Sequence, residues 1–109
     1  MVLAIDIGNT NIVIGCIQNK ECLFVERLST VHQKTEIEYA IDIKTVLDIY
    51  HIDVEQIEGG IISSVVPQVT NAAKLALEKI LKKNVMVVGA GVKTGLNIRM
   101  DNPSSDRKS

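Results

Sequence analysis

The apolar and polar positions of this chain follow two rhythms in turn. Residues 2–7 (Val-Leu-Ala-Ile-Asp-Ile) form a short apolar run, the pattern of a strand buried on both faces. Gly8-Asn9-Thr10 breaks it with turn chemistry, and residues 11–18 resume a strand. Asn19-Lys20 reads as a tight turn and residues 22–29 as a third strand, so the first quarter predicts an antiparallel meander. The period then lengthens. Thr35-Glu36-Ile37-Glu38 is a capping box, in which the Thr35 hydroxyl accepts from the Glu38 amide and the Glu38 carboxylate from the Thr35 amide. Ile37, Ala40, Ile41, Ile43, Leu47 and Tyr50 recur downstream at helical spacing, predicting a helix over residues 36–50. Gly59 to Ser64 reads as the approach to a buried strand and its polar end. Pro67 suits the first turn of a second helix, with Val69, Ala72, Ala73, Ala76, Leu77, Ile80 and Leu81 as its stripe. Lys82-Lys83 follow at its negative end. Val85 to Val88 predicts another buried strand, Gly89-Ala90-Gly91 ends it, and Leu96 to Met100 alternates weakly as a last short strand. The order β-β-β-α-β-α-β implies an α/β fold with a mixed sheet.

Composition narrows the partners. The chain has 109 residues, with 12 Lys+Arg against 13 Asp+Glu and a net charge of −1. That length fits one domain with one core. The near-neutral balance offers no general field for nucleic acid or an anionic membrane, and 3% aromatics leave no base-stacking platform. No apolar run is long enough to span a bilayer, and the N-terminus lacks a signal-peptide pattern, so a cytoplasmic location is expected. Cys16 and Cys22 fall on adjacent strands. A turn at Asn19-Lys20 would set Cys22 against Ile17 and Cys16 against Leu23, which predicts two reduced thiols.

The stretch that carries chemistry is Asp6-Ile7-Gly8-Asn9-Thr10-Asn11. An acid ends a buried strand, and a turn able to expose backbone amides follows. Gly8 allows close approach of a bulky anion, and the loop could cradle phosphate oxygens as a nest of N–H groups. Asp6 would repel a bare phosphate but suits a divalent cation, bound directly or through water, that the phosphates also touch. A plain tight turn with Asp6 capping local amides fits the same residues. The pattern is not a Walker loop, since no Gly-x-x-x-x-Gly-Lys occurs and the loop leads into a strand.

With its surroundings this stretch resembles the phosphate loop of the type III pantothenate kinases, members of the acetate kinase, sugar kinase, Hsp70 and actin superfamily. Lys34 to Tyr39 is similar to the start of that family's first helix, Ile62 to Pro67 to its strand-to-helix junction, and Gly89 to Pro103 to its long central signature. The resemblance implies a ribonuclease H-like (actin-like ATPase) lobe over residues 1–103, one half of a two-lobed clamp around ATP. It also implies transfer of the γ-phosphoryl of ATP to pantothenate, a divalent metal such as Mg2+, a monovalent cation (K+ or NH4+), a cytoplasmic homodimer, and no nucleic-acid or membrane partner. Asp6, Gly8, Asn9, Thr10 and Asn11 match the phosphate loop, Ile12 and Val13 continue it, and Asp6 would hold the metal. Met100 falls where many relatives carry a Tyr that touches pantothenate, while Gly95 and Arg99 lie in the same signature.

The resemblance breaks after Pro103. The family continues to Gly-Ala-Asp-Arg, whose Asp is the general base, and spacing puts that Asp at Ser109. Asp106-Arg107 imitates the pair three residues too early, roughly 10 Å of extended chain. Asp106 is therefore a weak substitute for the base and Arg107 a marginal substrate contact. Residues 104–109 read as an atypical flexible tail, and the second lobe is absent. The expectation is an inactive N-terminal lobe with apolar surface left where a second lobe would pack. A non-catalytic, transcriptional-activator-like homologue of the same fold is the alternative, and a remnant unable to fold a further one. Elsewhere His32 and His51 stand alone, with His51 read as a helix C-cap or surface residue. Ser63 and Ser64 read as capping residues, since no His patterns with either, and Lys93 as a solvated turn lysine or a phosphate neighbour.

Overall fold

A computed structural model describes residues 1–88. The meander forms as expected: β1 (Val2–Ile7), β2 (Asn11–Gln18) and β3 (Glu21–Ser29) pair antiparallel. Asn19 and Lys20 close the β2–β3 turn with φ of 53° and 66°, the two left-handed residues of a type I′ hairpin, whose twist matches that of the strands. Helix α1 (Glu36–Ile49), strand β4 (Gly59–Ser64), helix α2 (Pro67–Leu81) and strand β5 (Val85–Val88) follow. The five strands form one sheet in the order β3-β2-β1-β4-β5, with β4 and β5 parallel to β1. The weak strand expected at Leu96 to Met100, the tail at 104–109, and Lys93, Gly95, Arg99, Met100, Asp106, Arg107 and Ser109 lie outside the described residues.

Both helices pack against one face of the sheet. Leu3, Ile5 and Ile7 of β1 share that face with Ile12, Ile14 and Cys16 of β2 and Ile62 of β4, and all are buried with Leu47 and Leu77 of the helices in one cluster. The opposite face of β1 carries Val2, Ala4 and Asp6. Ala4 and Val13 form a small second cluster there with Ile17, Cys22 and Ile61 against it.

Three local readings change in the structure. First, the β2–β3 register shifts between Cys16 and Ile17, so Cys16 faces Phe24 and not Leu23, while Ile17 faces Cys22 as expected. A bulge places one extra residue on β3. Both cysteines are free thiols. Secondly, the buried face of α1 is Tyr39, Ile43, Val46 and Leu47. Ile37 and Ile41, placed in the stripe by spacing, are 54% and 59% exposed. The helix carries apolar residues on two sides, and only contact with the sheet and α2 decides which side turns inward. Thirdly, neither serine caps α2. Its N-cap is Val66, with no side-chain cap, and the Ser64 hydroxyl instead accepts from the Val66 amide at 3.0 Å.

The capping box of α1 is present: the Glu38 amide donates to Thr35 Oγ1 at 3.3 Å and the Thr35 amide to Glu38 Oε1 at 2.9 Å. Its other end closes as a Schellman motif. The Ile52 amide reaches the Leu47 carbonyl at 2.8 Å and the His51 amide the Asp48 carbonyl at 3.1 Å, around His51 at φ 57°. Lys82 takes the left-handed position after α2, and Lys83 Nζ donates to the Ile57 carbonyl at 2.6 Å, tying the helix exit to the segment before β4. No helix among the described residues is long and apolar enough to cross a membrane.

Candidate functional site

Because β1, β4 and β5 run parallel, their carboxyl ends lie along the same edge of the sheet. Open α/β sheets bind ligands in the crevice beyond such ends. The chain leaves β1 there through Gly8-Asn9-Thr10 and leaves β4 through Val65-Val66. An apolar groove lined by Val2, Ile17, Gly59, Ile61 and Met86 lies at the amino ends of these strands, remote from Asp6 and the loop, and plays no part in the site.

The loop is held by its carbonyls. The Gly8 amide donates to the Asn11 carbonyl at 2.9 Å, closing the hairpin. A Cβ on Gly8 would come within 3.2 Å of that same oxygen, so a side chain would press the turn open. From β3 and the residue after it, the Thr30 amide donates to the Thr10 carbonyl at 2.9 Å and Thr30 Oγ1 to the Gly8 carbonyl at 2.8 Å. From the end of β4, the Val65 amide donates to the Ile7 carbonyl at 3.0 Å. Thr30 is held in turn by its neighbour: Val31 exchanges two hydrogen bonds with the Tyr39 hydroxyl, and the Lys34 ammonium lies 5.5 Å from the Tyr39 ring centroid and pairs with Asp42.

The consequence is a polarised loop. The carbonyls of Ile7, Gly8 and Thr10, which would repel an anion, are occupied by protein donors. Among the described residues, the backbone amides of Asn9 and Thr10 donate to no protein acceptor. Asn9, Thr10 and Asn11 are exposed. Such an arrangement can hold an anion by its amides.

Asp6 stands two residues before Gly8, half-buried on the helix-free face of β1, between Val13 of β2 and Ser63 of β4. Of the two positions continuing the loop, Val13 shares that face, while Ile12 is buried in the helix-side core. Two residues escaped the sequence reading. Thr30 has no motif around it, and only the chain's return past β2 brings it to the loop. Ser63 was grouped with Ser64 as a cap. Strand alternation puts it on the face opposite Ser64, and the parallel register sets it directly beside Asp6.

Among the described residues no three His, Cys, Asp or Glu side chains gather as a metal cage. A carboxylate beside exposed loop amides suits an ion that keeps several waters and shares the oxygens of a substrate phosphate, which is the habit of Mg2+.

Curated type III pantothenate kinases of Halalkalibacterium halodurans and Bifidobacterium animalis subsp. lactis are each 42% identical to this chain, over 94% and 96% of its length. The chain spans 41% and 42% of those two proteins, about two fifths. Among solved structures, the ROK hexokinase of Thermus thermophilus superposes on 81% of this chain and 34% of its own with a TM-score of 0.61, at 15% identity. That likeness shows a shared sugar-kinase type of fold. The family model for type III pantothenate kinase matches residues 2–106, and the chain belongs to that family.

Proposed function

We propose that this chain is the phosphate-loop lobe of a pantothenate kinase, which transfers the γ-phosphoryl of ATP to the hydroxyl of pantothenate as the first step toward coenzyme A. The observation that carries the reading is the loop at 8–11. Asn9 and Thr10, both exposed and with amides that donate to no acceptor among the described residues, follow Asp6 at the carboxyl edge of the parallel strands. In the proposed mechanism the Asn9 and Thr10 amides bind oxygens of the ATP phosphates. Thr30 and Val65 hold the loop carbonyls away, and Gly8 keeps the backbone close to the anion. Asp6 would hold a hydrated Mg2+, which when bound neutralises charge on the phosphates as they transfer. Phosphoryl transfer depends mostly on such positioning and charge stabilisation, and the described residues supply that part.

The rest of the reaction lies beyond residues 1–88. Pantothenate contacts at Met100 and Arg107, residues 1–103 as one lobe, a monovalent cation (K+ or NH4+), a homodimer and a cytoplasmic location are part of the proposal, resting on the family resemblance. The proton on the attacking hydroxyl needs a base, and the family's Asp aligns with Ser109, with Asp106 offset by three residues. The 109-residue chain by itself is therefore expected not to turn over.

The test is binding first and turnover second. Calorimetry of the 109-residue chain should show Mg·ATP binding that drops at least about tenfold in Asp6→Asn, as loss of a charged ligand or its partners typically does. Equal binding by the two proteins would overturn the reading. With ATP, Mg2+, K+ and pantothenate the chain alone should give no phosphopantothenate, and turnover at the rate of an intact relative would refute that part.

A further inference from the structure

Resting on the reading of Asp6 as the metal carboxylate, we propose that Ser63 is a positioning residue of the same site, whose hydroxyl accepts a hydrogen bond from a water on the divalent ion that Asp6 holds. Three observations converge on Ser63. It is the direct register partner of Asp6 across the parallel β1–β4 pair, so both side chains rise from the same face on strands about 4.8 Å apart. Ser63 is 7% exposed and is the buried polar residue among the described residues. Its hydroxyl makes no hydrogen bond to any described residue, whereas that of the adjacent Ser64 is engaged with the Val66 backbone.

A buried hydroxyl with no partner among the described residues costs stability through its lost hydration. A hydrophobic residue of similar size would suit a purely structural position better, and the other neighbours on this face, Ala4, Val13 and Ile61, are of that kind. The hydroxyl is explained if its partner arrives with the ligand. A hydrated ion is the chemistry that fits. Hydrated Mg2+ is held by few carboxylates and by outer contacts to its waters, and the register sets Ser63 beside the carboxylate. The serine oxygen accepts from the metal-bound water, and its own proton remains available to a phosphate oxygen.

The experiment uses the 109-residue chain, with Mn2+ standing in for Mg2+. The affinity for Mn·ATP and for metal-free ATP in EDTA is measured in the parent protein, in Ser63→Ala and in the near-isosteric Ser63→Cys, whose thiol is a poor acceptor. The expected result is a Mn·ATP affinity about tenfold weaker in both variants, with metal-free ATP affinity unchanged. The ligand-free melting temperature should be unchanged or higher, because an unpaired hydroxyl has been removed. Unchanged Mn·ATP affinity in the variants overturns the role of Ser63 while leaving Asp6 in place. So does a loss of both affinities together with a lower melting temperature, the signature of a merely structural residue. If the parent protein shows no metal-dependent gain in ATP affinity, the reading of Asp6 falls and this inference with it. The second variant keeps the test decisive if the first does not fold.

Discussion

The two faces of the sheet are built on opposite terms. Under α1 and α2, β1 presents Leu3, Ile5 and Ile7, none more than 2% exposed, packed in one apolar cluster with Ile12, Ile14 and Ile62. On the other face the same strand presents Ala4 and Asp6, and β4 adds Ser63. The first face closes a core by filling space. The second mixes apolar residues with a carboxylate and a hydroxyl that has no hydrogen-bond partner among the described residues, a combination that adds little to packing and makes sense toward a polar ligand. The adjacent serines show the contrast at its smallest scale. Ser64 lies on the helix side and completes a backbone turn, while Ser63, one residue earlier, faces the other way beside Asp6. The two faces should therefore respond to mutation in different measurements, stability for one and ligand binding for the other.

The largest effect is expected under the helices. Leu47 is fully buried between α1 and the sheet, and Leu47→Ala should lower unfolding free energy by about 2–5 kcal/mol in urea titration. Asp6→Asn, measured the same way, should change it far less. Comparable losses from the two would erase the distinction between the faces. At the loop edge, Thr30→Val keeps the shape of the side chain but removes the bond to the Gly8 carbonyl. We expect a loss of about 0.5–1.5 kcal/mol, together with weaker Mg·ATP binding as the loop loosens. Unaltered binding would show that Thr30 braces the fold and not the site. A change remote from both faces is a useful control. His51 occupies the left-handed position that ends α1, so His51→Gly should raise stability by about 0.5–1 kcal/mol without touching ATP affinity.

The smallest effect at neutral pH concerns Cys16 in the helix-side core. Burial pushes its thiol up from 9.0 to about 11. A folded-state value above the unfolded one means the contribution is complete below pH 9.0 and is lost as pH rises through about 11. Stability of the parent protein should fall over that window more steeply than that of Cys16→Ala. At pH 8 a thiol reagent should modify the half-buried Cys22 well before Cys16. Equally fast labelling of both would mean the helix-covered face opens as readily as the other.

Much of this was legible in local pattern. Period-2 and period-3.6 spacing located the elements, the Thr35–Glu38 box marked the start of α1, and Pro67 marked that of α2. These signals operate within a few residues, where propensity, capping and alternation act. The Asp6–Asn11 loop was legible for the same reason, as a strand end followed by a glycine and three polar residues. What spacing misread was the orientation of α1. Ile37 and Ile41 repeat as regularly as Ile43 and Leu47, and Tyr39 was left out of the stripe although it is buried and braces Val31. A helix with apolar residues on two sides has no preferred direction until it meets a partner.

The sequence by itself determined the order of elements, the hairpin turns, the capping of the first helix and the Asp6–Asn11 loop, because each depends on neighbours along the chain. The tertiary structure alone decided that Thr30 would hold the loop carbonyls, that Cys16 would face Phe24 across a bulge, and that Ser63 would stand beside Asp6 with its hydroxyl bonded to no described residue. Those relations join residues 8 to 57 positions apart through strand register, and register is set by which whole faces can be buried together.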